Sequence, residues 1–349
     1  MRESGGVPLA PFTTLRLGGP ARRYARAETV DDLASAVAAA DAAGTPLLLL
    51  GGGSNLVVAD AGFDGMVVHV ATRGIDVDRQ GETVRLRVAA GEPWDALVDR
   101  AVAEGWSGVE CLAGIPGSVG ATPMQNVGAY GAEVSDVIVR VRVWDRAARE
   151  LTWIDRDACR FAYRSSRFRG SDRYAIVEVL LELRRDPLGA PIRYAELARA
   201  LDAAAGDRVP LAVARDAVVR LRRAKGMVVD AADPDSRSAG SFFVNPVVDA
   251  AALRAIEAAS TEPVPRFATP DEGRFKVPAA WLIERAGFAK GWGGEKVRIS
   301  TKHALALVHT GGGTTRELLD LARAVRAGVR ARFGVELDAE PVMVGCSLS

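Results

Sequence analysis

The chain has 349 residues, with 45 Lys or Arg against 44 Asp or Glu, a formal net charge of +1. That balance leaves no global field to draw nucleic acid or anionic lipid, and 48% hydrophobic with 26% charged residues excludes wholesale disorder. The length exceeds what one compact core holds and predicts two or three domains. Cys111, Cys159 and Cys346 are odd in number, far apart and form no C-x-x-C. A disulfide framework and a cysteine zinc site are therefore not expected, and a reducing compartment is. The first residues lack the apolar stretch of a signal peptide, and no apolar run reaches the ~18 residues of a membrane span. A soluble, cytoplasmic protein with no membrane insertion is the expectation.

In chain order, Thr29-Val30-Asp31-Asp32 reads as a capping box with Asp in place of Glu. It opens a helix with Leu33, Val37 and Ala40 on one face, closed by Gly44. Leu47 to Leu50 form an apolar strand expected to be buried on both faces. Three glycines follow at once, then apolar stretches at Leu56 to Ala59 and Met66 to Val70. Near Thr72 the pattern changes. Val84, Leu86 and Val88 alternate with polar residues, as do Val137, Val139, Val141 and Val143, which predicts half-buried strands. Between them lie a helix from Trp94 to Glu104 and a long glycine-rich loop. Tyr174 to Leu183 is a further strand, and 196–204 and 210–223 read as helices. A third region begins near Met227 with a polar turn at Asp233-Pro234-Asp235 and an apolar knot at Gly240-Ser241-Phe242-Phe243. A helix near Ala250 to Ala258 follows. Thr314-Thr315-Arg316-Glu317 opens a last long helix with Leu318, Ala322, Val325 and Val329 on one face. Val342 to Val344 is a final strand.

Two glycine-rich segments invite a ligand. In Gly51-Gly52-Gly53-Ser54-Asn55, a strand delivers backbone N–H groups that no side chain screens, as an anion requires. It is neither a P-loop nor G-x-G-x-x-G, and a tight structural turn explains such a cluster about half the time. The second runs from Ala113 through Ile115, Pro116, Gly117, Ser118 and Gly120 to Gln125, Asn126, Gly128, Ala129, Tyr130 and Gly131, with very few charges. Loops of that length inside a domain are usually functional. Together the two suit an extended ligand with a pyrophosphate, such as a dinucleotide. Arg164, after Tyr163, could hold a carboxylate through its guanidinium, although a lone Arg in so Arg-rich a chain reads first as a solvated side chain. Ser241 has no G-x-S-x-G setting and no evident histidine partner, so a serine hydrolase reading is poor. His69, His303 and His309 read as structural, and no metal site is expected.

Taken in order, these segments resemble the UDP-N-acetylenolpyruvoylglucosamine reductase family, flavoenzymes of peptidoglycan precursor synthesis. The similarity runs from Thr13-Thr14-Leu15-Arg16-Leu17-Gly18-Gly19-Pro20-Ala21 to Glu340. It implies an α+β chain, with a vanillyl-alcohol-oxidase (PCMH)-type FAD-binding domain of two subdomains and a smaller α/β substrate-binding domain. The implied division is 1–72 with 333–349 for the first FAD subdomain, 73–226 for the second, and 227–332 for the substrate domain. Gly51 to Asn55 and the stretch from Ile115 to Tyr130 match the two FAD loops. Arg164, Ser241 and Glu340 fall where the family keeps its catalytic arginine, serine and glutamate, with Asp338 and Glu336 as competing carboxylates. The resemblance also implies substrate-binding roles for Tyr163, Tyr194, Lys225 and Asn245, Tyr194 being the tyrosine that closes over the diphosphate. It implies noncovalent FAD, NADPH as hydride donor, and a nucleotide-sugar substrate. A related oxidase would often attach its flavin through a histidine, and neither loop offers one.

Overall fold

The computed structural model describes residues 3–269 and 271–348, and the chain divides into two compact units. The first comprises the residues up to 7 with 21–53 and 64–224; the second comprises 8–20, 54–63 and 225 onward.

The first unit is built on two sheets. One has four strands in the order Glu3–Pro8, Pro20–Ala27, Phe63–Val70, Leu47–Leu50, the last two parallel with Leu47 opposite Met66. The helix Val30–Ala42 feeds Leu47–Leu50, and its Thr29 capping box forms as the sequence predicts, with Leu33, Val37 and Ala40 buried. The strand itself departs from expectation: Leu47, Leu48 and Leu49 are half-buried and Leu50 alone is fully buried. It lies at the sheet's edge, so one flank lacks the neighbour that a fully buried strand needs. The other sheet is antiparallel, ordered Glu150–Asp155, Ile138–Asp145, Tyr174–Arg185, Thr83–Ala89, Ile75–Gln80, with Trp106–Ser107 also pairing Tyr174–Arg185. Alternate residues Val84, Leu86 and Val88 are buried, which is the period-two pattern made physical.

The second unit has its own core. The nineteen-residue helix Thr315–Phe333 starts in a complete capping box between Thr314 and Glu317 and ends at Gly334 in the left-handed region. Leu318, Ala322, Val325 and Val329 pack with Phe242, Phe243, Leu282 and Val57. The strand Val342–Val344 pairs in parallel with Leu56–Val58, register Val342 to Leu56. The C-terminus thus returns to the segment that follows the three glycines. That segment groups with residues 225 onward, so the expected first subdomain, 1–72 with 333–349, is distributed over both units. No helix among the described residues is long and apolar enough to cross a membrane.

Candidate active site

In the first unit the two glycine loops meet backbone to backbone. A Cβ on Gly52 would lie 2.6 Å from Gly117 Cα, and one on Gly51 would lie 2.5 Å from Ser118 Oγ. No larger residue fits at Gly52 without displacing main chain, and one at Gly51 would have to move the Ser118 side chain, so the approach is written into the glycines themselves. The helix Trp94–Ala103 fixes the second loop from its N-terminal turn. Trp94 N–H donates to Gly117 O at 3.0 Å, Trp94 Nε1 to Leu112 O at 3.0 Å, and Gly114 N–H to Asp95 Oδ1 at 2.6 Å. A cradle this bare of side chains suits a pyrophosphate. Asn126 holds the loop together: its Nδ2 donates to Glu133 Oε2 at 2.7 Å and Ala162 O at 3.3 Å, while its Oδ1 accepts from Ser135 N–H at 3.1 Å. A ligand role expected for Asn126 would therefore have to share a side chain already closing the loop.

Past Asn126 the loop becomes a hairpin, Gly128–Ala129 against Ala132–Glu133, with Tyr130 and Gly131 at its tip. Arg164 sits at the tip of a second tight turn, closed by Ala162 and Ser165 bonding each other's backbone at 3.1 and 3.0 Å. Its φ of +51° is left-handed, a position that costs a non-glycine residue roughly 1–2 kcal/mol. Its Nη2 donates to Gly128 O at 3.0 Å, and its guanidinium carbon stands 5.3 Å from the Tyr163 ring centroid. Arg169 Nη1 bonds the Arg164 carbonyl. The expected catalytic arginine is thus locked onto the second glycine loop. Tyr194 opens the helix Ala195–Leu201 and meets Tyr130 edge-on.

In the second unit Ser241 and Glu340 come together through the backbone. Phe243 bridges Ala339, with Val244 N–H donating to Asp338 O at 3.0 Å and Glu340 N–H to Phe242 O at 2.9 Å. That register puts Glu340 opposite Phe242, one residue from Ser241. Of the competing carboxylates, Asp338 lies further along the ladder, opposite Val244. Glu336 stands 3.4 Å from Arg326 and 3.5 Å from Arg330. Phe242 and Phe243 are both buried, with ring centroids 5.2 Å apart, and they pin the loop that carries half-buried Ser241. Gly240 supplies the turn at φ +75°. Asn55 Nδ2 donates to Glu340 O at 3.4 Å.

Asn245 Oδ1 accepts from Ala279 N–H at 2.9 Å, at the start of the helix Ala279–Arg285. Lys225 follows directly on the helix Leu211–Ala224. Two residues that the sequence reading did not single out belong with these. Thr14 Oγ1 donates to Ser238 O at 2.6 Å and lies 3.4 Å from Ser54 O, so it links the first glycine loop's tail to the segment just before Ser241. Its signal was its place in the amino-terminal motif. Arg222 is held below the ordinary arginine range by burial, with Tyr130 and Asp95 opposing that shift. Nothing in the sequence separates it from Arg220 or Arg223, because burial is not a local property. Burial also pushes the Tyr130 phenol up to about 12. Among the described residues, no three His, Cys, Asp or Glu side chains gather as a metal-holding group.

Comparison with known proteins matches two stretches of the chain to family models. A family model described as an FAD binding domain matches residues 21–153, and one described as the UDP-N-acetylenolpyruvoylglucosamine reductase C-terminal domain matches 233–344. The UDP-N-acetylenolpyruvoylglucosamine reductase of Thermobifida fusca is 55% identical, covering 98% of this chain and 98% of its own. That of Streptomyces coelicolor is 54% identical, covering 100% of this chain and 92% of its own. The crystal structure of the Thermus caldophilus enzyme of the same name superposes with a TM-score of 0.66 at 24% identity, over 98% of both chains. The α+β fold with an FAD-binding domain follows from these matches.

Proposed function

The chain belongs to the UDP-N-acetylenolpyruvoylglucosamine reductase family, and from that premise we propose how its residues carry out the reaction. It is an FAD-dependent oxidoreductase of peptidoglycan precursor synthesis, acting on a small nucleotide sugar. In our reading NADPH is the hydride donor, and the product is UDP-N-acetylmuramate. Three cysteine thiols, two of them buried, support a reducing cytoplasmic setting. We assign 227–332 to binding of the nucleotide sugar, since Ser241 and Asn245 lie there.

The glycine cradle of Gly51, Gly52 and Gly117, with the Ser118 hydroxyl packed against Gly51, fits FAD, because glycine backbone carries no side chain to exclude a pyrophosphate. FAD supplies the two-electron relay between the nicotinamide and the enolpyruvyl double bond. The chain's own residues handle charge and protons. Hydride addition at the methylene carbon leaves negative charge spread into the substrate carboxylate. A fixed cation is the direct means of stabilising it, and Arg164 is fixed at both its guanidinium and its carbonyl. The neighbouring carbon then needs a proton, which Ser241 donates from its hydroxyl. A serine hydroxyl is a weak acid, so the transfer depends on a polar partner that restores the proton. Glu340 fills that place, and as a carboxylic acid it would not repel the developing charge.

The observation that carries this reading is the ladder of Phe242 to Val244 against Asp338 to Glu340. It sets the serine and the glutamate, a hundred residues apart in sequence, one position from each other. An anaerobic titration tests the whole. NADPH should bleach the yellow protein, and the enolpyruvyl sugar nucleotide should restore the colour; a protein that stays yellow under NADPH, or stays bleached with substrate, overturns it.

A further inference from the structure

Tyr130 stands where its residue type does not belong. The hairpin tip joins Gly128–Ala129 to Ala132–Glu133 in two residues, and both are left-handed, Tyr130 at φ +50° and Gly131 at φ +83°. That is the pattern of a type I′ turn, whose first position strongly prefers Asn, Asp or Gly. A large aromatic there gives up of the order of 1–2 kcal/mol of backbone energy. Left-handed φ alone marks nothing, since Arg149, Arg160 and Asp202 share it. What sets Tyr130 apart is where its ring goes. It meets the Tyr194 ring at 5.5 Å between centroids and 84° between planes, the edge-to-face geometry that aromatic quadrupoles favour. The backbones are fitted too: a Cβ on Gly131 would come within 2.9 Å of Arg193 Cβ, so the glycine lets the chain before Tyr194 lie against the tip. Arg164 grips the same hairpin at Gly128 O, 3.0 Å away.

We propose that Tyr130 is a positioning residue for Tyr194: the strained hairpin tip of the second glycine loop orients the ring that covers the sugar nucleotide's diphosphate. The inference rests on the substrate role proposed for Tyr194 and deepens it. One short hairpin then sets both the arginine that receives negative charge and the tyrosine that holds the substrate. Tyr130 itself need not touch the sugar nucleotide; it decides where Tyr194 points before substrate arrives.

A double-mutant cycle reads this directly. Tyr130→Leu, Tyr194→Leu and the double variant are purified with flavin bound. Dissociation constants for the enolpyruvyl sugar nucleotide are then measured from the perturbation of flavin absorbance. If Tyr130 acts through Tyr194, Tyr194→Leu should weaken binding about tenfold in the parent, but only about one- to threefold once Tyr130 is Leu. The Tyr130→Phe variant, which keeps the ring, should restore the parent dissociation constant to within about threefold. Independent effects that multiply in the double variant overturn the proposal. So does a Tyr130→Leu protein that cannot keep flavin while Tyr130→Phe, flavin bound, weakens substrate as much as Tyr194→Leu does. A parent protein that binds no sugar nucleotide overturns the functional reading itself, whereas a parent that binds it with a multiplicative cycle overturns this proposal alone.

Discussion

The turn bearing Ser241 and the turn bearing Arg164 solve the same problem in opposite ways. Before Ser241 the left-handed residue is Gly240, at φ +75° with open space where a Cβ would go. The serine is then aimed by its buried neighbours, Phe242 and Phe243. At Arg164 the left-handed residue is the proposed charge-stabilising side chain itself, at φ +51°, and it is held by hydrogen bonds to Gly128 O and from Arg169. In one unit glycine takes the backbone demand and core burial does the aiming. In the other, strain at a side-chain-bearing residue is accepted, and the surroundings must keep it there. A guanidinium at a turn tip can be gripped by polar partners from several directions, whereas a serine's single hydroxyl cannot brace its own backbone.

Removing the guanidinium tests the costlier solution first. Arg164→Ala should slow reoxidation of the bleached protein by the sugar nucleotide by about a thousandfold, yet leave bleaching by NADPH largely intact; stopped-flow traces of the two half-reactions separate these. Equal losses in both would mean that the arginine serves the fold of the loop and not the developing charge. Ser241→Ala should cost about a hundredfold in overall turnover while the bleached protein still recovers its colour with substrate. Unchanged turnover would remove the hydroxyl from proton delivery. Gly240→Ala probes the backbone side of the comparison. With φ at +75° and no clash in the way, the expected loss is about 1–2 kcal/mol in chemical denaturation, and a silent substitution would show that the turn can relax. The smallest effect is a gain. Arg149 is exposed at φ +57° in the turn between Ile138–Asp145 and Glu150–Asp155, so Arg149→Gly should add roughly 0.5–1 kcal/mol of stability. If it destabilises instead, left-handed strain is not the quantity that distinguishes these turns.

Much of the fold was legible because it is local. Thr29 with Asp32 and Thr314 with Glu317 close the capping boxes their spacing announces, and the helix Ala250–Ala258 and the strand Val342–Val344 fall where hydrophobic period and flanking residues put them. The misjudged strand, Leu47–Leu50, shows the limit. Four leucines declare an apolar strand, but whether one flank or two is covered depends on a sheet order set by residues far away. At the candidate site, the close approach of the two loops at Gly52 and Gly117 was legible in their glycines, because glycine is the one residue whose backbone requirement shows in its letter. Arg222 was not, since an arginine's burial leaves no mark on neighbouring residues.

By itself the sequence determined which residues could turn, cap, alternate and carry charge, for these follow from side-chain chemistry within a few positions of the chain. Tertiary structure decided which of them meet. Only the pairing of Phe243 with Ala339 brings Glu340 to Ser241 ahead of Asp338 or Glu336, and only the packing of 193–194 on the hairpin tip gives Tyr130 its strained place. Both are contacts between residues distant in sequence, fixed by the burial and hydrogen bonding of whole strands and loops, and no local pattern encodes them.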